Sequence, residues 1–228
     1  MININTNSID LILINNKENN NVNKELYRVL KPGAYLFSID KPHKSHNSVC
    51  DIEDIGFIIK DSISYFFKEN EDVKQDVICL AMKPLSEKNF AENVMKWGTG
   101  GLNIDGTRIG YEKRTYKGGC GSDKFIGGGL DDGRGKDLVF EAEGRYTANF
   151  IISEDIAHVL DKQSKEASRY FYNAKSYKDL LRYITVLGLP PKESKVLFIG
   201  FDNVDEIIEE INKESNVNYE AITIGGIE

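Results

Sequence analysis

The sequence is poor in the residues that build small crosslinked domains. It has three cysteines, Cys50, Cys79 and Cys120, which are far apart and form no CxxC pair. Disulfide frameworks and zinc sites use paired or closely spaced cysteines, so both are excluded, and Cys50 and Cys79 are expected to pack as small apolar side chains. His43 and His46 stand three residues apart in KPHKSHN without a third ligand, so we predict a surface loop and no metal site.

Long hydrophobic runs and an excess of positive charge are also absent. No apolar stretch approaches the roughly 20 residues that a membrane helix needs, and the N-terminus lacks a basic and then apolar signal, so we expect a cytoplasmic protein without membrane contact. The formal net charge of -7 disfavours nonspecific attraction to polyanions, although local basic patches could still bind them. The 228 residues, 40% of them hydrophobic, suffice for one large α/β domain or a domain with an insertion.

Short apolar segments alternate with helical patterns along much of the chain. Strands are predicted at IDLILI (Ile9–Ile14), AYLFSI (Ala34–Ile39), DVICLAMK (Asp76–Lys83) and SKVLFIGF (Ser194–Phe201). Between the first two, VNKELYRVL has apolar residues at helical spacing and is closed by KPG at positions 31–33. This alternation predicts an α/β fold with helices on the faces of a sheet.

Glycine clusters mark the middle of the chain. Between residues 97 and 145 the sequence contains GTGG, KGGCG, IGGGL and DDGRG with little apolar periodicity, which predicts a loop-rich insertion. None of the clusters matches GxxxxGK[ST], or GxGxxG between a strand and a helix, so a phosphate-binding loop is disfavoured. Regular structure returns at SEDIAHVLDKQS, where Ser153 is the predicted N-cap of a helix.

Two groups of segments carry a resemblance to a known family. ELYRVLKPGAYLFSID and DIEDIGFIIKDSISYFFK are similar to the helix and strands that follow a catalytic strand. WGTGGLNIDGTRIG, GRYTANFII and DKQSKEASRYFYNAKS are similar to a target-recognition insertion, and they are the most specific of the matches. Together they resemble the phage-type DNA amino-methyltransferases, which use S-adenosylmethionine to methylate adenine N6 or cytosine N4. The resemblance covers nearly the whole chain.

The resemblance implies both a fold and a division of the chain. The expected fold is a Rossmann-like methyltransferase sheet with helices on both faces, formed by residues 1–83 and 173–228. Residues 84–172 correspond to the target-recognition-like insertion. The catalytic strand comes first and the cofactor strand last, which is the permuted β arrangement of motifs in that family.

The loop after the first strand departs from the family's catalytic motif. In the family this loop reads Asp or Asn, Pro, Pro, Tyr, and it holds the target amino group while its ring stacks on the flipped base. The matching positions here are Asn15, Asn16, Lys17 and Glu18. Asn15 keeps a hydrogen-bonding amide, but Glu18 cannot stack on a base, a contact worth about 1 to 3 kcal/mol. The resemblance therefore implies a degenerate loop without a catalytic residue.

The cofactor segment departs from the family in a similar way. The family's last long strand leads into Asp-Pro-Phe-x-Gly-Ser-Gly-Thr, whose glycines let the backbone approach the cofactor. Here Phe198 replaces the aspartate, Gly200 is kept, and Asp202 stands among the positions of the small residues. Glu228, in GGIE, matches an acidic residue that holds the ribose hydroxyls in the family. The family's NxxPTVKP stretch is missing as well, so we expect no bound S-adenosylmethionine.

Basic and aromatic residues of the insertion are the candidate contacts to a nucleic acid or to a protein partner. The predicted contacts are Trp97, Arg108, Lys113, Arg114, Lys117 and Arg145. Two other interpretations stay open, because Trp97 could instead anchor an insertion poor in large apolar groups and the basic cluster could be a solvated surface.

These observations lead to three alternative functions. The first is a noncatalytic protein that binds DNA or pairs with a methyltransferase as a homo- or hetero-oligomer. The second is an active S-adenosylmethionine-dependent DNA methyltransferase, for which Asn15, Gly200 and Glu228 are the sequence support. The third is a phage-derived antagonist of a restriction-modification system, and the sequence does not separate it from the first.

Overall fold

The computed structural model describes most of the chain. It covers residues 3–18, 21–118, 138–147, 149–189 and 193–225, with the backbone alone for residues 111–118 and 138–143. The strands are β1 (Ile9–Asn15), β2 (Leu30–Asp40), β3 (Ile58–Glu69), β4 (Asp72–Met82), β5 (Ile109–Gly118), β6 (Leu138–Arg145), β7 (Phe150–Ser153), β8 (Tyr172–Ala174), β9 (Ser194–Ile199) and β10 (Tyr219–Ile224). The helices are α1 (Lys24–Val29), α2 (Ser45–Ile55), α3 (Phe90–Trp97), α4 (Glu154–Gln163), α5 (Tyr177–Gly188) and α6 (Asp205–Ser215), and short 3-10 helices lie at Asp105–Thr107 and Ala167–Tyr170.

The centre of the fold is a mixed sheet built around β1. Within the described residues, eight strands follow the order β10-β9-β1-β2-β4-β3-β7-β8. The strands β10, β9, β1 and β2 run parallel, and β4 is antiparallel to both of its neighbours. β1 takes the central position because residues 9–14 are buried on both faces of the sheet. The predicted α/β fold is thereby confirmed.

Helices cover both faces of the parallel part of the sheet. On one face, Leu26 of α1 and Ile52 of α2 pack with Ile9, Ile12 and Ile14 of β1. On the other face, Ile184 of α5 and Ile208 of α6 pack with Leu11 and Leu13. Both faces of β1 are therefore apolar, which explains why its sequence is a continuous hydrophobic run instead of an alternating one.

The structure corrects three predictions. β4 begins at Asp72 instead of Asp76. β2 begins at Leu30 instead of Ala34, so KPG at positions 31–33 belongs to the strand; the N–H of Gly33 donates to the carbonyl of Lys83, which extends the pairing with β4. Helix α2 begins at Ser45, so His46 lies in a helix and the predicted surface loop holds only for the turn with His43. The second turn of this helix buries the polar residue Ser48.

The segment predicted as an insertion contributes to the main sheet. β7 pairs with β3 and with β8, so the sheet crosses from residues 1–83 into residues 84–172. The helix predicted after Ser153 is confirmed as α4, and β5 and β6 form a separate antiparallel pair. The division into domains stays a prediction. No helix in the described part of the chain is long and apolar enough to span a membrane.

Candidate functional site

The carboxyl ends of β1 and β9 form a crevice of the kind that binds ligands in parallel sheets. The chain passes from β1 to its neighbour β2, whereas it passes from β9 to β10 on the opposite side, so the direction of winding reverses between β1 and β9. Such a reversal leaves a crevice outside the strand ends. Asn15 ends β1, residues 16–18 follow it, and residues 200–202 follow β9, so the fold brings the predicted catalytic and cofactor segments together.

The crevice holds a small polar cleft. Its volume is about 260 Å³, which is below the range of about 300–1,000 Å³ usual for ligand pockets. The described residues that line it are Asn15, Glu18, Asn21, Gly200, Phe201, Asp202 and Gly225. Most of these side chains carry amide or carboxylate groups, so the cleft favours a small polar ligand.

Hydrogen bonds tie the two strand ends together across this cleft. The Nδ2 of Asn15 donates to the carbonyl oxygen of Gly200 at 3.0 Å, and its Oδ1 accepts from the backbone N–H of Lys17 at 3.3 Å. The Nδ2 of Asn21 donates to the carbonyl oxygen of Asn15 at 2.9 Å. Gly200 has a φ of +73°, and a Cβ at this position would lie 3.2 Å from the carbonyl oxygen of Asn15. The amides at the site therefore bind the backbone of the crevice itself.

Asn16 belongs to a buried network on the α2 face of the sheet. Its Nδ2 donates to the hydroxyl oxygen of Ser38 at 2.9 Å, and its Oδ1 accepts from the N–H of Asn21 at 2.9 Å. The hydroxyls of Ser38 and Ser48 donate in turn to the Asp40 carboxylate. Burial raises the pKa of Asp40. The hydrogen bonds from Ser48 and Ser38 lower this pKa in part, and the carboxylate of Asp76 raises it further. Asn16 is therefore a structural residue that faces away from the cleft.

Lys17 extends to the opposite face of the sheet. Its Nζ lies 2.5 Å from Oδ2 of Asp76, 4.4 Å from the ring centroid of Tyr177 and 5.9 Å from that of Phe67. The Asp76 side chain is 5% exposed and that of Lys17 is 21% exposed. Burial raises the pKa of Asp76, and the ammonium of Lys17 opposes this rise. The ammonium of Lys17 is thus surrounded by a carboxylate and two aromatic rings.

Glu18 is the exposed member of the predicted catalytic loop. Its Oε1 accepts a hydrogen bond from Nζ of Lys41 at 2.7 Å, and this contact lowers the pKa of Glu18. The carboxylate thereby points toward a basic neighbour at the rim of the cleft. An exposed carboxylate in this pairing has no surface on which a base could stack.

The predicted cofactor residues lie in different environments. Phe198 is fully buried and packs on the face covered by α5 and α6, where its ring meets that of Phe201 edge to face at 5.9 Å. The bulk of Phe198 therefore lies in the core and not in the cleft. Asp202 is exposed and lines the cleft. Glu228 lies outside the described residues.

The chain is similar in structure to solved DNA methyltransferases. No family model and no curated protein matches the sequence. A candidate DNA modification methylase from Thermus thermophilus, complexed with S-adenosyl-L-methionine, has a similar structure with a TM-score of 0.50 and 10% identity, over 99% of this chain and 84% of that chain. This is a methyltransferase fold. The structure of M1.HpyAVI with its S-adenosylmethionine gives a TM-score of 0.49 at 11% identity, over 97% of this chain and 82% of that chain.

The predicted contact residues of this methyltransferase-like fold contact different neighbours. Trp97 ends α3 and donates from Nε1 to the hydroxyl of Ser86 at 2.7 Å, which favours the interpretation as a local anchor. The Nε of Arg108 lies 2.8 Å from Oδ1 of Asp105. Three further predicted contacts, Lys113, Arg114 and Lys117, lie on β5, where the structure describes no side chains.

Arg145 joins a cluster that the sequence analysis did not single out. Its guanidinium carbon lies 4.7 Å from the ring centroid of Tyr170, and that of Arg169 lies 5.0 Å from the same centroid. Arg169 and Tyr170 lie in SRYFYNAK, where the sequence gave no prediction of a contact residue. Asn21, which lines the cleft, and Asp76, which pairs with Lys17, were not predicted, because Asn21 lies in a run of asparagines and Asp76 begins a predicted strand.

Helix α3 turns its apolar side outward in this methyltransferase-like fold. Its buried residue is Asn93, whose Nδ2 donates to the carbonyl oxygens of Pro32 and Thr99 at 2.9 Å each. Val94 is 45% exposed and Met95 88% exposed. Two hollows of about 480 and 550 Å³ adjoin at Val94 on this side of the molecule. Among the described residues, no group of three or more His, Cys, Asp and Glu side chains could hold a metal ion.

Proposed function

We propose that this protein is a noncatalytic relative of the DNA methyltransferases, which binds DNA and has lost both methyl transfer and the binding of S-adenosylmethionine. The observation that carries this proposal is the hydrogen bond from Asn15 to Gly200. In a catalytic loop the amide at this position would hold the amino group of the substrate. Here the Oδ1 that would accept from that amino group accepts from the N–H of Lys17 at 3.3 Å, and the Nδ2 holds the backbone of the neighbouring strand.

The cleft does not fit S-adenosylmethionine. The cofactor is drug-sized, whereas the cleft measures about 260 Å³ among the described residues. The Asn15 and Asn21 amides each commit one N–H donor to the carbonyls of Gly200 and Asn15, so a ligand that took these donors would break the bonds between the strand ends. A ligand would have to separate the ends of β1 and β9 and leave buried polar groups unpaired, which costs about 1–3 kcal/mol for each group.

The loop after β1 is also engaged with the protein instead of facing a substrate. Asn16 bonds to Ser38, Lys17 pairs with Asp76, and Glu18 pairs with Lys41. Catalysis requires groups held within fractions of an ångström of their reacting position. Three consecutive side chains of the loop contact other parts of the protein. These contacts support the proposal that the loop now has a structural role.

Isothermal titration with S-adenosylmethionine and S-adenosylhomocysteine tests the loss of the cofactor site. A working methyltransferase pocket is expected to bind at micromolar concentrations, which corresponds to roughly -8 kcal/mol. The proposal predicts no heat of binding and no shift of the thermal unfolding midpoint. Micromolar binding of either compound would contradict it and would favour the active methyltransferase, for which methylation of DNA is the next measurement.

A second candidate function, pairing with a methyltransferase subunit, is favoured by the outward apolar side of α3. Phe90, Val94, Met95 and Ile104 are each more than a third exposed on neighbouring elements. Exposed apolar patches of this kind mark protein interaction sites. The mass of the purified protein in solution, alone and mixed with a methyltransferase from the same host, tests this candidate. A monomer that forms no complex under both conditions would argue against it.

A further inference from the structure

Two arginines converge on one exposed tyrosine ring. The guanidinium carbons of Arg145 and Arg169 lie 4.7 and 5.0 Å from the ring centroid of Tyr170, which is 47% exposed. An Nη2 group of Arg169 also donates to the Tyr170 hydroxyl at 3.0 Å. Arg145 ends β6 and Arg169 lies in the 3-10 helix before β8, so two distant parts of the chain supply the charges.

Such an arrangement brings two positive charges together at the surface. Two guanidinium groups that contact the same ring repel each other, and the ring quadrupole offsets part of the repulsion through cation–π contacts. Glu166 supplies a carboxylate oxygen 3.1 Å from Nη1 of Arg169. The neighbouring arginines lower the pKa of Tyr170, with the hydrogen bond from Arg169 as the largest cause. The potential at the ring is therefore positive and favours an anion.

The guanidinium group suits one kind of anion best. A guanidinium group presents five N–H donors in a planar fork, and this fork matches the oxygens of a phosphate. Two exposed aromatic residues, Tyr146 and Phe150, lie close in sequence to Arg145. Basic residues interleaved with exposed rings are typical of surfaces that bind nucleic acids.

We infer that Arg145 and Arg169 bind phosphate groups of a DNA strand and that Tyr170 positions both guanidinium groups. This inference rests on the DNA binding proposed above and assigns it to particular residues. Tyr170 acts through the arginines and is a positioning residue. The partner class is a nucleic acid, because the guanidinium groups match phosphate oxygens and the exposed residues Tyr146 and Phe150 lie close to Arg145 in the sequence.

Fluorescence anisotropy with a fluorescein-labelled DNA duplex, repeated at several sodium chloride concentrations, tests the inference. Arg145→Gln and Arg169→Gln should each weaken binding about 5- to 10-fold at the same salt concentration for every duplex sequence. Each variant should also reduce the slope of the logarithm of the binding constant against the logarithm of salt by about 0.9, the value for one lost phosphate contact. Arg182→Gln is the matched control, because Arg182 is a surface arginine on α5 paired with Glu214.

Tyr170 provides a readout that a merely structural role would not give. Tyr170→Phe keeps the ring but removes the hydroxyl that accepts from Arg169, so it should weaken binding less than the arginine variants do, whereas Tyr170→Leu removes the ring as well and should weaken binding as much as they do. Equal thermal midpoints establish that the variants fold. Where a glutamine variant is unfolded, Arg145→Lys and Arg169→Lys replace it; they keep the charge but lose the fork, so affinity should fall while the salt slope stays constant.

The outcomes separate this inference from the proposed function. If the parent protein binds no duplex, both DNA binding and the phosphate site are overturned. If the parent binds and the Arg145 and Arg169 variants bind equally well with an unchanged salt slope, the phosphate site alone is overturned. If the control Arg182→Gln weakens binding as much, the effect is a general charge effect, and the assignment to these two arginines fails.

Discussion

The side chain of Asn15 joins two parallel strands at their carboxyl ends, because its Nδ2 donates a hydrogen bond to the carbonyl oxygen of Gly200 at 3.0 Å. The two residues are 185 positions apart in the sequence. Its Oδ1 accepts from the N–H of Lys17 at the same time, so one amide fixes both the adjacent strand and its own loop. Asn15 therefore helps to hold the crevice at its present width.

Replacing Asn15 should distinguish the two hydrogen bonds of its amide. Asn15→Ala loses both and should reduce the free energy of unfolding by about 1–2 kcal/mol. Asn15→Asp keeps an acceptor for Lys17 but places a carboxylate against the Gly200 carbonyl, so its loss at pH 7 should be larger. Urea unfolding at pH 7 and pH 4 measures both effects.

The pH dependence of Asn15→Asp follows from the repulsion between its carboxylate and the carbonyl. This repulsion raises the pKa of the new carboxyl in the folded state, so its cost should disappear below the unfolded pKa and appear as pH rises through the folded pKa. Asn47→Asp, at an exposed position of α2, is the control and should change little. Equal losses at both pH values would contradict the proposed role of the Nδ2 donor.

Gly200→Ala should be more harmful than Gly110→Ala, although both glycines have a left-handed backbone. Their φ angles are +73° and +76°, so the conformational cost of a Cβ, about 1–2 kcal/mol, is shared. A Cβ at Gly200 would lie 3.2 Å from the Asn15 carbonyl oxygen, whereas none of the described atoms lies within 4 Å of a Cβ at Gly110. Urea unfolding of both variants isolates the crowding, and an identical loss would show that the cleft has room to spare.

Lys17→Met should strongly destabilise the fold, because it leaves the carboxylate of Asp76 buried without its cation. Removing one partner of a buried pair typically costs about 3–5 kcal/mol. The double variant with Asp76→Asn should recover much of that loss, which gives a coupling free energy in a double-mutant cycle. Lys74→Met removes the exposed pair with Asp72 and should cost less than about 1 kcal/mol. Additive losses for Lys17 and Asp76 would mean that their contact contributes nothing specific.

The strands of the central sheet were predictable because burial on both faces leaves a continuous apolar run. Ile9–Ile14 became β1, and the run from Ser194 became β9, with errors of one or two residues at their ends. The sequence also indicated that Asn15 follows the first strand. The hydrogen bond to Gly200 was not predictable, because it depends on the pairing of Ile14 with Ile199, which no local pattern encodes.

Helices α2 and α3 were not predictable from local sequence patterns, because tertiary contacts determine which of their residues are buried. Helix α3 has its apolar residues exposed and Asn93 buried, the reverse of the usual amphipathic pattern, because the Asn93 amide satisfies backbone carbonyls on both sides of it. Helix α2 begins in a polar stretch because Ser48 donates to the buried Asp40. In both cases a buried polar contact decided the structure, and hydrophobic periodicity carries no information about such contacts.

Asp40→Asn should change the dependence of stability on pH in a defined direction. Burial raises the pKa of Asp40 above its unfolded value of about 3.9, so the parent protein loses stability as pH rises through the folded pKa of this carboxyl. The variant lacks this loss, and its free energy of unfolding relative to the parent should therefore increase from pH 4 toward pH 7. Serine hydroxyls can rotate to accept from the new amide, which preserves the network with Ser38 and Ser48.

Asp161→Asn is the matched control with the opposite sign. The backbone N–H and the hydroxyl of Ser168 donate to Asp161 and lower its pKa, so the parent gains stability as pH rises through the folded pKa toward the unfolded value. This variant should lose stability relative to the parent between pH 3 and pH 5. Chemical denaturation across this range measures both variants against the parent. A relative stability of Asp40→Asn that stays constant with pH would mean that the buried Asp40 carboxyl ionises as it does in the unfolded chain.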